Sequence, residues 1–201
     1  MGRTSNRADE AGMDAAHAVP ASMRAIVQDR YGDAGVLRLQ EVPVPAMADD
    51  EVLVRVAAAG LDRGTWHLMA GLPYMVRPVF GLRRPRQAVP GFDLAGTVVA
   101  LGSAVTRFAV GDEVFGVGTG TFAAYAVASE QKLTSRPDVL PPEQAAVVPI
   151  SGMTALQALQ DVGRLEAGQR VVVVGASGGA WAGSFEQPQA GINKPAATNP
   201  V

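Results

Sequence analysis

The 201-residue chain contains no cysteine. That excludes disulfides, thiolate nucleophiles and thiolate metal sites. Lysine is almost missing too. Of 17 basic residues only Lys132 and Lys194 are lysines, a bias expected of GC-rich coding rather than of guanidinium chemistry. Histidine is confined to His17 and His67, and aromatic residues make up 5%. The formal net charge of −2 leaves no basic footprint for nucleic acid. No apolar run approaches a membrane span. Residues 1–22 carry Arg3, Arg7, Asp9, Glu10 and Asp14 among alanines, without an apolar core of signal-peptide length. They read as a disordered leader on a cytoplasmic protein.

What is present is 48% hydrophobic content with 23 glycines and 14 prolines, enough to build one or two domains rich in strands and tight turns. From Met23 the pattern is β-like. Arg24–Val27 is short and half apolar, and Val36–Val42 alternates as a half-buried strand should. Pro43 and Pro45 close it. Val52–Val56 is a strand running into Ala57–Gly60. Asp62 can then cap a short helix through Leu68, because its carboxylate accepts from the free N–H groups of a first turn. Residues 71–90, with four prolines and Arg83, Arg84 and Arg86, read as an exposed loop.

Thr97–Ala100, the segment after Gly111-Asp112, and Phe122–Val127 supply further strands, so a partly open β-barrel is expected. Beyond Pro141 the character changes. Glu143–Val148 and Thr154–Val162 have helical spacing, with Leu156 and Leu159 on one face. Arg170–Val174 is a β-branched run of the kind buried on both faces of a parallel sheet, and it delivers Gly175-Ala176-Ser177-Gly178-Gly179. A strand feeding a glycine-rich turn is the setting for a dinucleotide pyrophosphate, since glycines let backbone N–H groups approach the phosphates. A plain strand-exit turn would have the same composition.

Six segments occur together in order: Ala58-Ala59-Gly60, Val89–Gly96 (VPGFDLAG), Val110–Gly116 (VGDEVFG), Phe122–Tyr125, Ser151–Ala155 (SGMTA) and Gly175–Gly179. Over residues 23–179 the chain resembles the medium-chain dehydrogenase/reductase superfamily, in its quinone-oxidoreductase-like branch. The resemblance implies a mainly β fold with some α: a GroES-like barrel over 23–150, then a linker helix and the start of a Rossmann domain over 151–185. It also implies NADPH or NADH as cofactor, with hydride transfer in a cleft between the two domains. Small-molecule substrates of the quinone, enone, aldehyde or alcohol type fit this branch, and dimerisation in relatives uses mainly the Rossmann sheet, which leaves the oligomeric state open.

Zinc-dependent relatives place a cysteine two residues after the glycine matching Gly60, where this chain has Asp62. Their histidine and glutamate after Pro-Gly are replaced by Phe92 and Asp93. Two carboxylates make a poor tetrahedral zinc site, so no metal is expected. A polar donor must then stabilise charge on the substrate oxygen. The resemblance puts residues 62–67 beside the cofactor, which makes Thr65 and His67 the catalytic candidates, with Trp66 nearby. It makes Asp62, Thr154, Gly175, Ser177, Gly178 and Gly179 the cofactor-binding candidates. Simpler roles stand beside these: a surface or interdomain position for His67, a packed strand for Tyr125, helix capping for Thr154, backbone hydrogen bonds for Asp93 and a solvated loop for the arginines.

After Gly179 the chain departs from the family. Pro188, Pro195 and Pro200 forbid a long helix, and residues 186–201 have no periodicity. The expectation is an aberrant disordered tail on a chain truncated near Gly179, with these 201 residues alone impaired or inactive as an enzyme. Two alternatives are a non-catalytic GroES-like binding module and a fragment that needs a partner chain to supply the missing half.

Overall fold

The computed structural model describes residues 19–172 apart from Ala167. Two compact units are present, divided between Val147 and Val148. The first is mainly β. Strands β1 (Ser22–Val27) and β2 (Arg38–Pro43) form an antiparallel ribbon in which Ser22 faces Pro43 and Val27 faces Arg38. β2 is largely exposed rather than half-buried. Alternation marks a strand, but whether its apolar face is covered depends on what lies opposite. Here the burial falls on Val36, in the short 3-10 turn Ala34–Val36 that precedes β2.

The main sheet is antiparallel throughout, with strand order β6-β3-β4-β5-β7. Its members are β3 (Glu51–Ala59), β4 (Asp93–Leu101), β5 (Glu113–Val117), β6 (Tyr125–Ser129) and β7 (Leu133–Ser135). β4 extends beyond the expected Thr97–Ala100 because Asp93–Gly96 pair with β5 on one side and Leu94–Gly96 with β3 on the other. The strand expected at Phe122–Val127 is shifted to β6. Phe122–Ala124 still make ladder-type bonds, from Ile26 N–H to the Phe122 carbonyl and from Ala124 N–H to the Arg24 carbonyl, which tie β1 onto the sheet. Irregularities in the β3–β4 register at Leu53/Val54 and Val56/Ala58 bend this central pair.

Both faces of the sheet are covered. Val52, Val54, Leu94, Val98, Val114, Ala126, Ala128 and Leu133 form one buried cluster, and Leu53, Val99 and Val127 form a second with Val44, Met47 and Tyr125 against it. Such close-packed aliphatic burial, about 25 cal/mol per Å² of apolar surface, is the main stabilising contribution. Glu113 on β5 accepts from the Thr97 hydroxyl at 2.6 Å and pairs with Arg136 at 2.9 Å. Those contacts, Thr97 first and Arg136 second, hold its carboxyl below the ordinary carboxylate range.

The loop at 71–90 is partly helical, with a 3-10 turn at Tyr74–Val76 leading into α2 (Arg77–Phe80). Pro78 is tolerated there because a helix start has no use for its missing N–H. It follows α1 (Arg63–Ala70). A one-turn helix, α3 (Pro142–Ala145), packs Ala145 and Ala146 on Ala95, Ala58 and Phe115. It is shorter than the helix expected over Glu143–Val148.

In the second unit α4 (Pro149–Leu156) begins earlier than expected and widens into a π turn at Gln157–Val162. Arg170–Val172 is not a strand. Val171 is 40% and Val172 88% exposed, against the expectation of burial on both faces. A central parallel strand is held by neighbours on each side, and no described residue pairs with this segment. Among the described residues no helix is long and apolar enough to cross a membrane.

Candidate functional site

Helix α1 is built from its ends. Asp62 takes an extended backbone conformation and its Oδ1 accepts from the Thr65 N–H at 2.9 Å. Its Oδ2 accepts from the Thr65 hydroxyl, also at 2.9 Å. Thr65 is 2% exposed, so both of its polar groups are satisfied by one carboxylate. The helix stops at Gly71, whose φ of 66° is left-handed and whose N–H donates to the His67 carbonyl. A side chain at Gly71 would also strike the Tyr31 ring, 2.5 Å from where its Cβ would sit.

This geometry assigns chemistry to the candidates. Thr65 has one hydroxyl proton and gives it to Asp62, so in this arrangement it is a capping residue and not a free donor. Asp62, a cofactor-binding candidate, likewise spends both carboxylate oxygens on the cap. His67 lies one turn along, half-buried, with Nδ1 2.7 Å from the Leu72 carbonyl. A carbonyl only accepts, so Nδ1 carries the proton of the neutral ring and Nε2 is an acceptor. Protonated, the same ring keeps its anchor and presents an Nε2–H donor. Trp66 is exposed, with the Arg63 guanidinium 4.2 Å over its ring.

Thr154 is exposed on α4, at the sixth position of the helix rather than at its start, so it caps nothing. Its hydroxyl donates back to the Ile150 carbonyl at 2.7 Å, which leaves an oxygen that accepts. Tyr125 packs against the Leu53–Val99–Val127 cluster. Asp93 is buried at the start of β4, its carbonyl accepting from the Gly60 N–H at 3.0 Å. Gly175, Ser177, Gly178 and Gly179 lie outside the described residues.

Two features beside α1 carry no simple sequence signature. The first is the seat of Gly60, where an added Cβ would lie 2.2 Å from the Ala146 carbonyl oxygen and 2.9 Å from Asp93 Cβ. Only glycine lets the chain leave β3 toward Asp62 at that spacing. The second is a stack at the far end of the helix. Arg77 lies over the rings of Tyr31 and Tyr74 at 4.6 and 4.5 Å and donates from Nε to the Gly71 carbonyl, while the Tyr31 hydroxyl donates to the Gly81 carbonyl at 2.6 Å. Tyr31 lies far from Arg77 in the chain, so its part in the stack shows only once the chain is folded. Among the described residues no three of His, Cys, Asp and Glu are grouped to hold a metal ion.

Comparisons with known proteins agree with this architecture. Residues 48–138 match the alcohol dehydrogenase GroES-like domain family. Over 167 residues, 78% of this chain, the sequence is 36% identical to the chloroplast envelope quinone oxidoreductase homolog of Arabidopsis thaliana, 49% of which is covered. The solved quinone oxidoreductase of Coxiella burnetii superposes with a TM-score of 0.71 at 28% identity, covering 80% of this chain and 51% of that one. A mycobacterial protein solved in complex with NADPH gives a TM-score of 0.70 at 28% identity, covering 80% of this chain and 48% of that one. The chain therefore spans about half the length of the curated relatives it matches. The chain thus carries an alcohol dehydrogenase GroES-like domain at residues 48–138, and over most of its length it is similar to quinone oxidoreductases of the medium-chain dehydrogenase/reductase superfamily.

Proposed function

We propose that the chain provides the substrate-side portion of an NAD(P)H-dependent oxidoreductase that delivers hydride to a quinone, an enone or a related carbonyl compound. The observation that carries this reading is the 36% identity, over 78% of the chain, to a quinone oxidoreductase homolog. The donor set of the described residues fits a nicotinamide cofactor at one point. The Thr154 oxygen is exposed and, with its proton given to Ile150, suits the amide N–H₂ of a nicotinamide. The Gly175–Gly179 turn would hold the pyrophosphate by the resemblance of its sequence. The bound dihydronicotinamide supplies the hydride.

The chain's own residues do the rest. Reduction of a quinone takes a hydride on the ring system and a proton on oxygen, giving the hydroquinone. His67, protonated and anchored through Nδ1 to Leu72, donates from Nε2 to the substrate oxygen as negative charge develops there. Asp62 and Thr65 position that imidazole by holding the first turn of α1. In this reading the positions matching zinc ligands in relatives have other work: Asp62 caps and Phe92 is apolar.

The test follows absorbance at 340 nm with NADPH or NADH and 1,4-naphthoquinone. Saturable oxidation of the nicotinamide is expected, and His67→Ala should lower kcat on the order of 10²-fold. Unchanged kcat in that variant removes His67 from the chemistry. No quinone-dependent oxidation with either cofactor, by this chain or by this chain fused to the nucleotide-binding half of a quinone oxidoreductase relative, overturns the whole reading.

A further inference from the structure

Away from α1, an open groove of about 530 Å³ runs between Gln28-Asp29 and the turn Gly81–Arg86, with Ala88 at its edge. That volume falls within the roughly 300–1,000 Å³ typical of small-molecule sites. The groove is charged on one side. Arg83, Arg84 and Arg86 stand against a single carboxylate, Asp29. Among the described residues neither Arg83 nor Arg84 has an ion-pair or hydrogen-bond partner for its guanidinium, and Arg86 makes one long contact, 3.4 Å, to the Pro78 carbonyl. The turn itself is built. Gly81 has a φ of 127° and accepts from the Tyr31 hydroxyl, and the Arg86 N–H donates to the Phe80 carbonyl at 2.8 Å. The three arginines therefore project from a tied segment.

A second feature of the groove points to a ligand independently of its charge. Gln28 is only 4% exposed, and its side-chain Oε1 is buried with no hydrogen-bond partner. Its backbone N–H is bonded to the Ala88 carbonyl at 2.8 Å, so the residue is held at the groove wall. A buried amide oxygen left without a donor is costly, and the great majority in folded proteins find one. The groove thus offers planar guanidinium groups suited to a carboxylate or phosphate, with one fixed acceptor beside them that lacks a donor.

We propose that this groove binds a small hydroxylated oxyanion: the anionic group engages Arg83 and Arg84, and an adjacent hydroxyl donates to Gln28 Oε1. The proposal stands apart from hydride transfer, and its readout involves no nicotinamide. The test is isothermal titration calorimetry of the full chain with glycerol 3-phosphate, n-propyl phosphate and inorganic phosphate.

Glycerol 3-phosphate should bind saturably, about fivefold more tightly than n-propyl phosphate, which has the charge without the hydroxyls. Arg83→Ala with Arg84→Ala, both at exposed positions, should weaken glycerol 3-phosphate at least tenfold while leaving the circular dichroism spectrum unchanged. Gln28→Leu should abolish the preference for glycerol 3-phosphate and keep the affinity for n-propyl phosphate. If that variant does not fold, the comparison of the two esters on the unaltered chain still decides the hydroxyl contact. No binding of glycerol 3-phosphate up to 10 mM, equal affinity for the two esters, or full affinity in the double arginine variant would overturn the proposal.

Discussion

Asp62→Ala gives the sharpest test of how α1 is held. The substitution removes two hydrogen bonds of 2.9 Å, one to the Thr65 N–H and one to the Thr65 hydroxyl. Losing an N-cap carboxylate costs about 1 kcal/mol. Thr65 is 2% exposed, so its hydroxyl would be stranded without water, adding about 1 kcal/mol or more. The expected destabilisation is about 2–3 kcal/mol. Thr65→Val removes the hydroxyl at nearly constant volume and should cost about 1 kcal/mol, since the half-buried Asp62 carboxylate can turn to solvent. In the double variant no hydroxyl remains to be stranded. Its loss should fall short of the sum of the single losses by about 1 kcal/mol, the coupling energy of that hydroxyl–carboxylate bond. Urea unfolding followed by far-UV circular dichroism measures all four corners, and Trp66 fluorescence reports from the same helix. Strict additivity, or a loss below about 0.5 kcal/mol for Asp62→Ala, would refute the capping account and with it the positioning of His67.

Other expectations follow from single residues. The Glu113 carboxyl is held low in the folded state, so its stabilising contribution is full above the unfolded carboxylate range of about 4.3 and is lost as pH falls through the lower folded value. Glu113→Gln should therefore flatten the acid side of the stability profile and cost only about 0.5 kcal/mol at pH 7, because the side chain is 39% exposed. Gly60→Ala should cost about 3 kcal/mol, since its Cβ meets a backbone carbonyl that cannot retreat. Gly111→Ala, with a φ of 99° and open space around the new Cβ, should cost about 1 kcal/mol from backbone strain alone. Differential scanning calorimetry separates these two.

The sequence disclosed most where local chemistry decides the outcome. Asp62 announced a cap because a carboxylate before a helix has one obvious use, and the glycines of VPGFDLAG and VGDEVFG bracket strands that do form. It disclosed least where partners are distant. The Val36–Val42 alternation located a strand but not its exposure, because β2 faces only β1. The Arg170–Val174 run has the composition of a buried parallel strand, yet at Val171 and Val172 no described neighbour covers it. Thr65 stood out as a hydroxyl near the expected chemistry, and only the folded geometry shows its proton already given to Asp62. The Arg77 stack draws in Tyr31 from a distant part of the chain, with no periodicity to betray it.

In the proposed reaction His67, tethered through Nδ1 to the Leu72 carbonyl, gives a proton to the substrate oxygen as hydride arrives. The most direct measurement is kcat for NADPH-dependent reduction of 1,4-naphthoquinone, with the unaltered chain and with His67→Ala. A kcat lower on the order of 10²-fold in the variant, with an unchanged circular dichroism spectrum, is expected. Equal kcat in the two proteins would contradict it.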